Sequence, residues 1–490
     1  MKRMNVKCLA LLCMACAVFS SLVADTWYAK IWSGGNKDQK NYRFTEALNS
    51  SKDGDVIELQ NDVVVNADAE LNLPKKTSSK RVLVNGNGHT IKNEGDAFVF
   101  KIAAGTTLVL SNVIYDCAGY SQIDDVFYLA PQSGYGSSRK VARMILENGA
   151  TICNAHMATY YNYENAVVHI KRGAVFTMRP GSAILNCKNE SSPGKGGAIC
   201  CDYGTVIMTG GTIAGCTAKG AGGAIHTDGT RVDSVDSYGI NERGDIYISG
   251  GYITNNVCGE GLYGGGIYLG NSGPVLHITG TAVISNNFSG SLESGVADDV
   301  STYNLDDRWA NRLKLVDYHE SHPDGFTYAG QLFTGWVGVR YPRAEVESNP
   351  ENKHFGAVWE YFTGSQEEAR QFFWNGNNSY RGKMDANSLI WSKHVVHELP
   401  RDGIKVAELI ASGESPIYME LSEDYRMSAP AVITKDMNNL ELVLDLKGFN
   451  LTCDFHVSNE TSRVTIFDSS TNKSGTVRAQ RFGFCQCVLP

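Results

Sequence analysis

Gly196-Gly197-Ala198-Ile199, Gly222-Gly223-Ala224-Ile225 and Gly264-Gly265-Gly266-Ile267 are three returns of one phrase between residues 166 and 288. A second phrase alternates with it: Gly181-Ser182-Ala183-Ile184, Gly210-Gly211-Thr212-Ile213, Gly250-Gly251-Tyr252-Ile253 and Gly280-Thr281-Ala282-Val283-Ile284, with Gly149-Ala150-Thr151-Ile152 upstream. The isoleucines of the second phrase fall at 152, 184, 213, 253 and 284, in steps of 32, 29, 40 and 31 residues. A period of this length with one insertion signals stacked repeats.

The segments between the phrases say what is stacked. Runs such as Val167-Val168-His169-Ile170, Val206-Ile207-Met208, Ile246-Tyr247-Ile248 and Leu276-His277-Ile278 are short and β-rich, with glycine and asparagine between them. None is long enough for a crossover helix, which excludes βαβ units. Two or three short strands per turn of roughly 30 residues, with glycine corners, describe a parallel β-solenoid. The bias of parallel connections makes it right-handed.

Register within the repeat makes two further expectations. Asn154, Asn186, Gly215, Asn255 and Asn286 stand two residues after the isoleucines, and stacked at one corner their amides would form a hydrogen-bonded column. One position on, Cys187 and Cys216 would lie one rung apart, either as a disulfide or as two packed thiols.

The alternation of Gly-Gly-Ala-Ile with Gly-Gly-Thr-Ile and an asparagine corner resembles bacterial right-handed β-helix surface proteins. It is similar to the GGAI-repeat polymorphic outer-membrane and adhesin-like proteins. The resemblance covers residues 145 to 290, with a weaker continuation from Tyr42 to Met144. It departs from that pattern in lacking a regular phenylalanine three residues before asparagine. The resemblance implies a pectate-lyase-like solenoid and adhesion to a host, another cell or a surface glycan.

Lys2, Arg3 and Lys7 precede the apolar run Cys8 to Val23, which ends at Ala24 before Asp25. This is the pattern of a secretory signal peptide over residues 1–24. A lipoprotein would use Cys16, but Cys13-Met14-Ala15 is a poor lipobox. No other stretch is long enough for a membrane span, so the mature chain is expected to be secreted or on the cell surface without a transmembrane helix. A formal charge of −8 argues against nucleic acid, whose phosphates require a basic face. Of 13 cysteines, Cys8, Cys13 and Cys16 lie in the leader, and the scatter of the rest is no compact disulfide framework.

The domain reading is residues 25–300 for the β-helix, 301–395 for an aromatic-rich capping or mixed module, and 396–490 for a partial second β-helix-like segment. Tyr42 to Leu48 reads as a short amphipathic helix that caps the open end of the stack. Gly335 to Arg340 reads as a strand, and Ser365 to Trp374 as a helix behind a serine N-cap. Leu440 to Leu451, Val464 to Asp468 and Ser474 to Val477 look like opening rungs of a new stack. The alternating segments of an outer-membrane barrel are absent, which departs from the polymorphic outer-membrane pattern.

Catalytic candidates are sparse. Residues 226–245 form the one large insertion and carry His226, Asp228, Arg231, Asp233, Asp236, Glu242, Arg243 and Asp245. A solvated polar loop is the preferred reading over a carboxylate dyad or a calcium site, and the spacing matches no calcium loop. Asp124-Asp125, Asp298-Asp299 and Asp306-Asp307 are adjacent pairs, whose members point to opposite faces of a strand. Alternation places His169 and His277 on the outer face, and neither they nor His226 have a companion at metal-ligand spacing. Cys201 reads as a ladder thiol. No phosphate loop or dinucleotide fingerprint is present. The expectation is an all-β monomer with no cofactor and no metal, whose partner is a surface glycan or a protein. Adhesion without catalysis ranks first, and a polysaccharide lyase, hydrolase or epimerase second.

Overall fold

The computed structural model describes residues 29–33, 36–37, 43–65, 69–72, 79–94, 100–118, 121–122, 125–134, 140–157, 165–191, 193–229, 244–270, 274–302, 313–315, 333–340, 359–360, 372–375, 380–385, 388–393, 396–398, 417–426, 431–433, 440–457, 462–467 and 475–483. The leader, most of the insertion and many of the later aromatics lie outside these.

The described chain winds through mostly parallel strands in large stacked sheets, as the repeat predicts. One coil contains Val175–Met178, Ala183–Leu185, Lys188–Asn189 and Ile199–Asp202, and each of these pairs in parallel with its counterpart in the next coil. Four faces therefore run along the stack, one more than the upper expectation; the additional one consists of two-residue strands in a seven-stranded ladder. The first face is an eleven-stranded sheet.

The phase-marking isoleucines make one column. Ile152, Ile184, Ile213, Ile253 and Ile284 are direct register partners in succession. Ile91 and Tyr115 extend the column below, and Val337 and Phe372 extend it above. Each of them is almost fully buried. Full burial of such a side chain contributes ~1.5–3 kcal/mol, so the repeat is a repeated investment in one continuous core.

The other phrase turns the corner into the fourth face. Gly196, Gly222 and Gly264 have φ of 68°, 75° and 70°, in the left-handed region that favours glycine. The glycine after each is there for proximity. A Cβ on Gly197 would meet the Gly223 carbonyl of the next coil, and one on Gly223 would meet that of Gly265.

The ends are managed differently. Helix α1 (Phe44–Ser50) buries Phe44, Ala47 and Leu48, and Phe44 reaches the Phe100 ring at 6.4 Å. Strand Ala29–Ser33 pairs antiparallel with Val56–Leu59. Both cover the open end of the parallel stack. Beyond residue 300 the parallel sheets continue: Leu313–Leu315 joins the first face and Trp336–Val339 the second. Phe372–Trp374 is a strand parallel to Trp336–Val339, which corrects the helix expected to run through Trp374. Its Phe372 fills the core column, and that tertiary demand overrides the local helical pattern.

Val396–Glu398, Ile417–Glu420, Glu441–Asp445 and Arg463–Phe467 make a four-stranded parallel sheet. A second parallel sheet contains Tyr425–Arg426, Ala431–Ile433, Leu451–Val457 and Val477–Gly483. Leu442, Leu444, Leu451, Val464 and Ile466 form a core of their own. Among the described residues, no helix is long and apolar enough to cross a membrane.

The asparagine expectation is corrected by one position. Asn154, Asn186, Asn255 and Asn286 have φ between 54° and 59°; they hold the left-handed corner, and their amides form no column. Asn154 instead donates to Asp116 and Asn286 to Ser285. The ladder lies on the following residues, which point inward. Asn256 Nδ2 donates to Asn287 Oδ1 at 2.9 Å, and Asn287 Nδ2 to Asp299 Oδ1 at 2.8 Å. Cys187 and Cys216 occupy the same inward position and are free thiols. A hydrogen bond to Cys216 and burial hold the Cys187 thiol well above its ordinary pKa.

Candidate functional site

Two places on the solenoid gather polar chemistry. The first is a cleft of about 370 Å³ lined by Glu260, Tyr263, Ser289, Ser291, Val296 and Arg340, among others. Its walls follow from the corner chemistry. Phe288–Ser289 folds back antiparallel on Val296–Ala297, and the intervening turn is closed by Ser291 and Ser294, whose hydroxyls lie 2.9 Å apart. Ser289 Oγ donates to the Leu262 carbonyl at 2.7 Å and so ties this hairpin to the Gly259–Gly264 corner of the preceding coil.

Arg340 closes the far wall from the end of Trp336–Val339. Its Nη1 donates to Asp298 Oδ2 at 3.1 Å, and its guanidinium lies 5.9 Å from the centre of the Tyr263 ring, in cation–π range. Ser301 Oγ donates to the other Asp298 oxygen at 2.6 Å. Burial pushes the Asp298 carboxyl up to about 6, against the pull of Ser301 and Arg340. Asp298 is fully buried, and among the described residues the carboxylate in the lining is Glu260. Leu262, Leu292 and Val296 expose apolar surface on the same two loops.

The second place is an outward column on the fourth face: Tyr128, His169, Cys200, His226 and Tyr268 in direct register. Alternation turns His169 away from the core that Val168 and Ile170 enter, as expected. The ring is nevertheless only 2% exposed, because carboxylates from neighbouring coils close over it. Its Nδ1 lies 3.0 Å from Asp125 Oδ1 and its Nε2 2.8 Å from Asp202 Oδ2. Lys171 Nζ donates to the same Asp202 oxygen at 2.7 Å, and Cys200 Sγ lies 3.6 Å from Asp202 Oδ1. In the next coil Lys195 compensates Asp228, the register partner of Asp202, at 2.8 Å.

The electrostatics favour ions held in pairs. Burial opposes the His169 charge, but the Asp125 carboxylate and the bonds to both aspartates win and hold its pKa well above the ordinary value. For Asp202 burial is likewise outweighed by His169 and Lys171, which hold it well below the usual carboxylate range. Cys200, His169 and Asp125 have the residue types of a nucleophilic triad. They do not work as one: burial and Asp202 push the thiol up to about 12, and Asp202 occupies the imidazole nitrogen a thiol would need.

Other sequence candidates meet in pairs, His277 Nε2 lying 3.8 Å from Asp245 Oδ2 and His226 Nδ1 3.9 Å from Asp228 Oδ2. Asp245 is buried and accepts a hydrogen bond from the Val275 amide at 3.0 Å, a structural role. His277 is also buried, and lies flat on Tyr247 at 4.2 Å. Arg231, Asp233, Asp236, Glu242, Arg243, Asp124, Asp306 and Asp307 lie outside the described residues. Sequence spacing gave His169 no companions; Asp125, Cys200 and Asp202 reach it from adjacent coils. The signal was the position after the inward residue of each repeat, where His169, Cys200 and His226 align. No protein family, curated protein or solved structure matches the chain.

Proposed function

We propose that the chain is an exported, right-handed, pectate-lyase-like β-helix that binds a surface glycan or a protein without catalysis, in the manner of the GGAI-repeat surface proteins it resembles. The observation that carries this is the cleft between Tyr263 and Arg340. A ring face, a guanidinium, a carboxylate and three serine hydroxyls around about 370 Å³ offer stacking and hydrogen bonds in the proportions that suit a saccharide. A glycosidase of the usual kind needs two carboxylates across the scissile bond, and among the described residues the lining holds one, Glu260.

The test is retention of the purified chain on a panel of acidic and neutral glycans, repeated with Tyr263→Ala and Arg340→Gln. Saturable binding of one glycan, weakened about tenfold or more in Tyr263→Ala with an unchanged melting temperature, is expected. Turnover of a polysaccharide, seen as new reducing ends or unsaturated uronate, would replace this reading with the enzyme. Binding that ignores Tyr263 would remove the cleft from it.

A further inference from the structure

We propose that His169, Cys200 and Asp202 form a site for one divalent transition-metal ion of borderline softness, zinc above all, with Asp125 as the outer partner that orients the imidazole. One His169 ring nitrogen, the Cys200 sulfur and one Asp202 carboxylate oxygen are ligand atoms that all lie within 4.8 Å of one another. A tetrahedral zinc ion holds such atoms ~2.0–2.3 Å from itself, and therefore ~3.3–3.8 Å from each other. Cys200 Sγ lies 3.6 Å from Asp202 Oδ1 and His169 Nε2 lies 2.8 Å from Asp202 Oδ2, so the carboxylate turns to present one oxygen to the ion and the ring backs away by about half an ångström. Water completes the fourth position.

The outer partner is already in place. His169 Nδ1 faces Asp125, the carboxylate-to-imidazole arrangement that fixes which nitrogen remains for a metal. Asp125 is itself oriented by the Ala166 amide at 2.8 Å. Three ligands on two adjacent coils of a rigid stack, two residues apart on one strand and in register on the next, are held by the fold.

Cysteine binds a metal as its thiolate, so the Cys200 proton leaves to solvent when the ion enters, and no electron is transferred. Lys171, with a side chain 27% exposed, is the one cluster member near solvent and marks the path of entry.

The test uses the full chain, stripped with a chelator and titrated with Zn²⁺ by calorimetry in buffers of different ionisation enthalpy. One ion per chain, with proton release on binding, is expected near neutral pH. Co²⁺ should give a sulfur-to-metal charge-transfer band that Cys200→Ser abolishes and Cys187→Ser, which changes a buried thiol elsewhere in the stack, leaves intact. Asp125→Asn should weaken binding about 10- to 100-fold while keeping the band. No saturable zinc binding by the wild-type chain, or binding without proton release, would overturn the proposal. So would a cobalt band that survives in folded Cys200→Ser. The stoichiometry and the cobalt band are measured on wild type, so they decide the matter even where a variant does not fold.

Discussion

Asp299 and Asn375, 76 residues apart in the chain, exchange two hydrogen bonds: Asn375 Nδ2 donates to Asp299 Oδ2 at 2.7 Å, and the Asp299 amide donates to Asn375 Oδ1 at 2.9 Å. The pair ends a buried polar ladder that begins at Asn256 and passes through Asn287. It also fastens Phe372–Trp374 to the coil that ends at Val300–Thr302. Replacing Asn375 with Ala leaves a buried carboxylate oxygen and a buried amide without these partners, so a loss of about 1–3 kcal/mol is expected. Denaturant unfolding of Asn375→Ala measures it, and a variant as stable as wild type would mean that the ladder contributes nothing at this end.

The same end of the stack should respond to pH. Burial raises the Asp298 carboxyl from 3.8 to about 6 and the Asp299 carboxyl to about 7. Below the unfolded value both states hold their protons and nothing is lost. As pH rises from about 4 to about 7, the unfolded chain releases protons that the folded chain retains, and above that range the fold holds two buried carboxylates at a cost. This contribution to stability therefore falls as pH rises through the window. In Asp298→Asn, which keeps the acceptor for Ser301, melting temperature against pH should have a shallower slope between pH 4 and 6. An identical slope would show that Asp298 does not titrate there.

Much of the architecture is legible because one residue type marks each inward position: the five isoleucines of the second phrase are consecutive register partners. The asparagine ladder was misread by one residue because two demands meet at the corner. A left-handed φ favours asparagine at Asn255 and Asn286 whatever its amide does, while the inward residues Asn256 and Asn287 form the ladder. His169 was legible as an outward residue but not as a cluster, since its partners lie 31 or more residues away and only the coil register brings them together. The cleft was less legible still. Tyr263 and Arg340 belong to different coils, and nothing in either local sequence points to the other.

The glycine phrases allow a paired test of proximity against conformation. At Gly223 a Cβ would meet the Gly265 carbonyl and the Val257 backbone, atoms of the next coil that cannot move without parting the stack. Gly261 has φ of +71° but nothing within 4 Å. Gly261→Ala should cost ~1–2 kcal/mol, the price of a left-handed alanine. Gly223→Ala should cost about 3 kcal/mol or more. Equal costs in denaturant unfolding would mean that coil spacing does not dictate the second glycine.

The cluster around His169 makes a prediction in the absence of any metal. His169 is the cation between Asp125 and Asp202, at 3.0 Å and 2.8 Å. Replacing it with leucine keeps the volume roughly constant but leaves two carboxylates facing each other across an apolar side chain, with Lys171 reaching only Asp202. Breaking a buried pair in this way costs about 3–5 kcal/mol. Most of that penalty belongs to the stranded charges and little to the lost attraction, so Asp125→Asn and Asp202→Asn in the His169→Leu background should restore stability. If His169→Leu alone unfolds at the wild-type denaturant concentration, the carboxylates are not held as buried ions. If the triple variant is no more stable than the single one, packing of the imidazole against Tyr128, at 6.0 Å between ring centres, outweighs its charge.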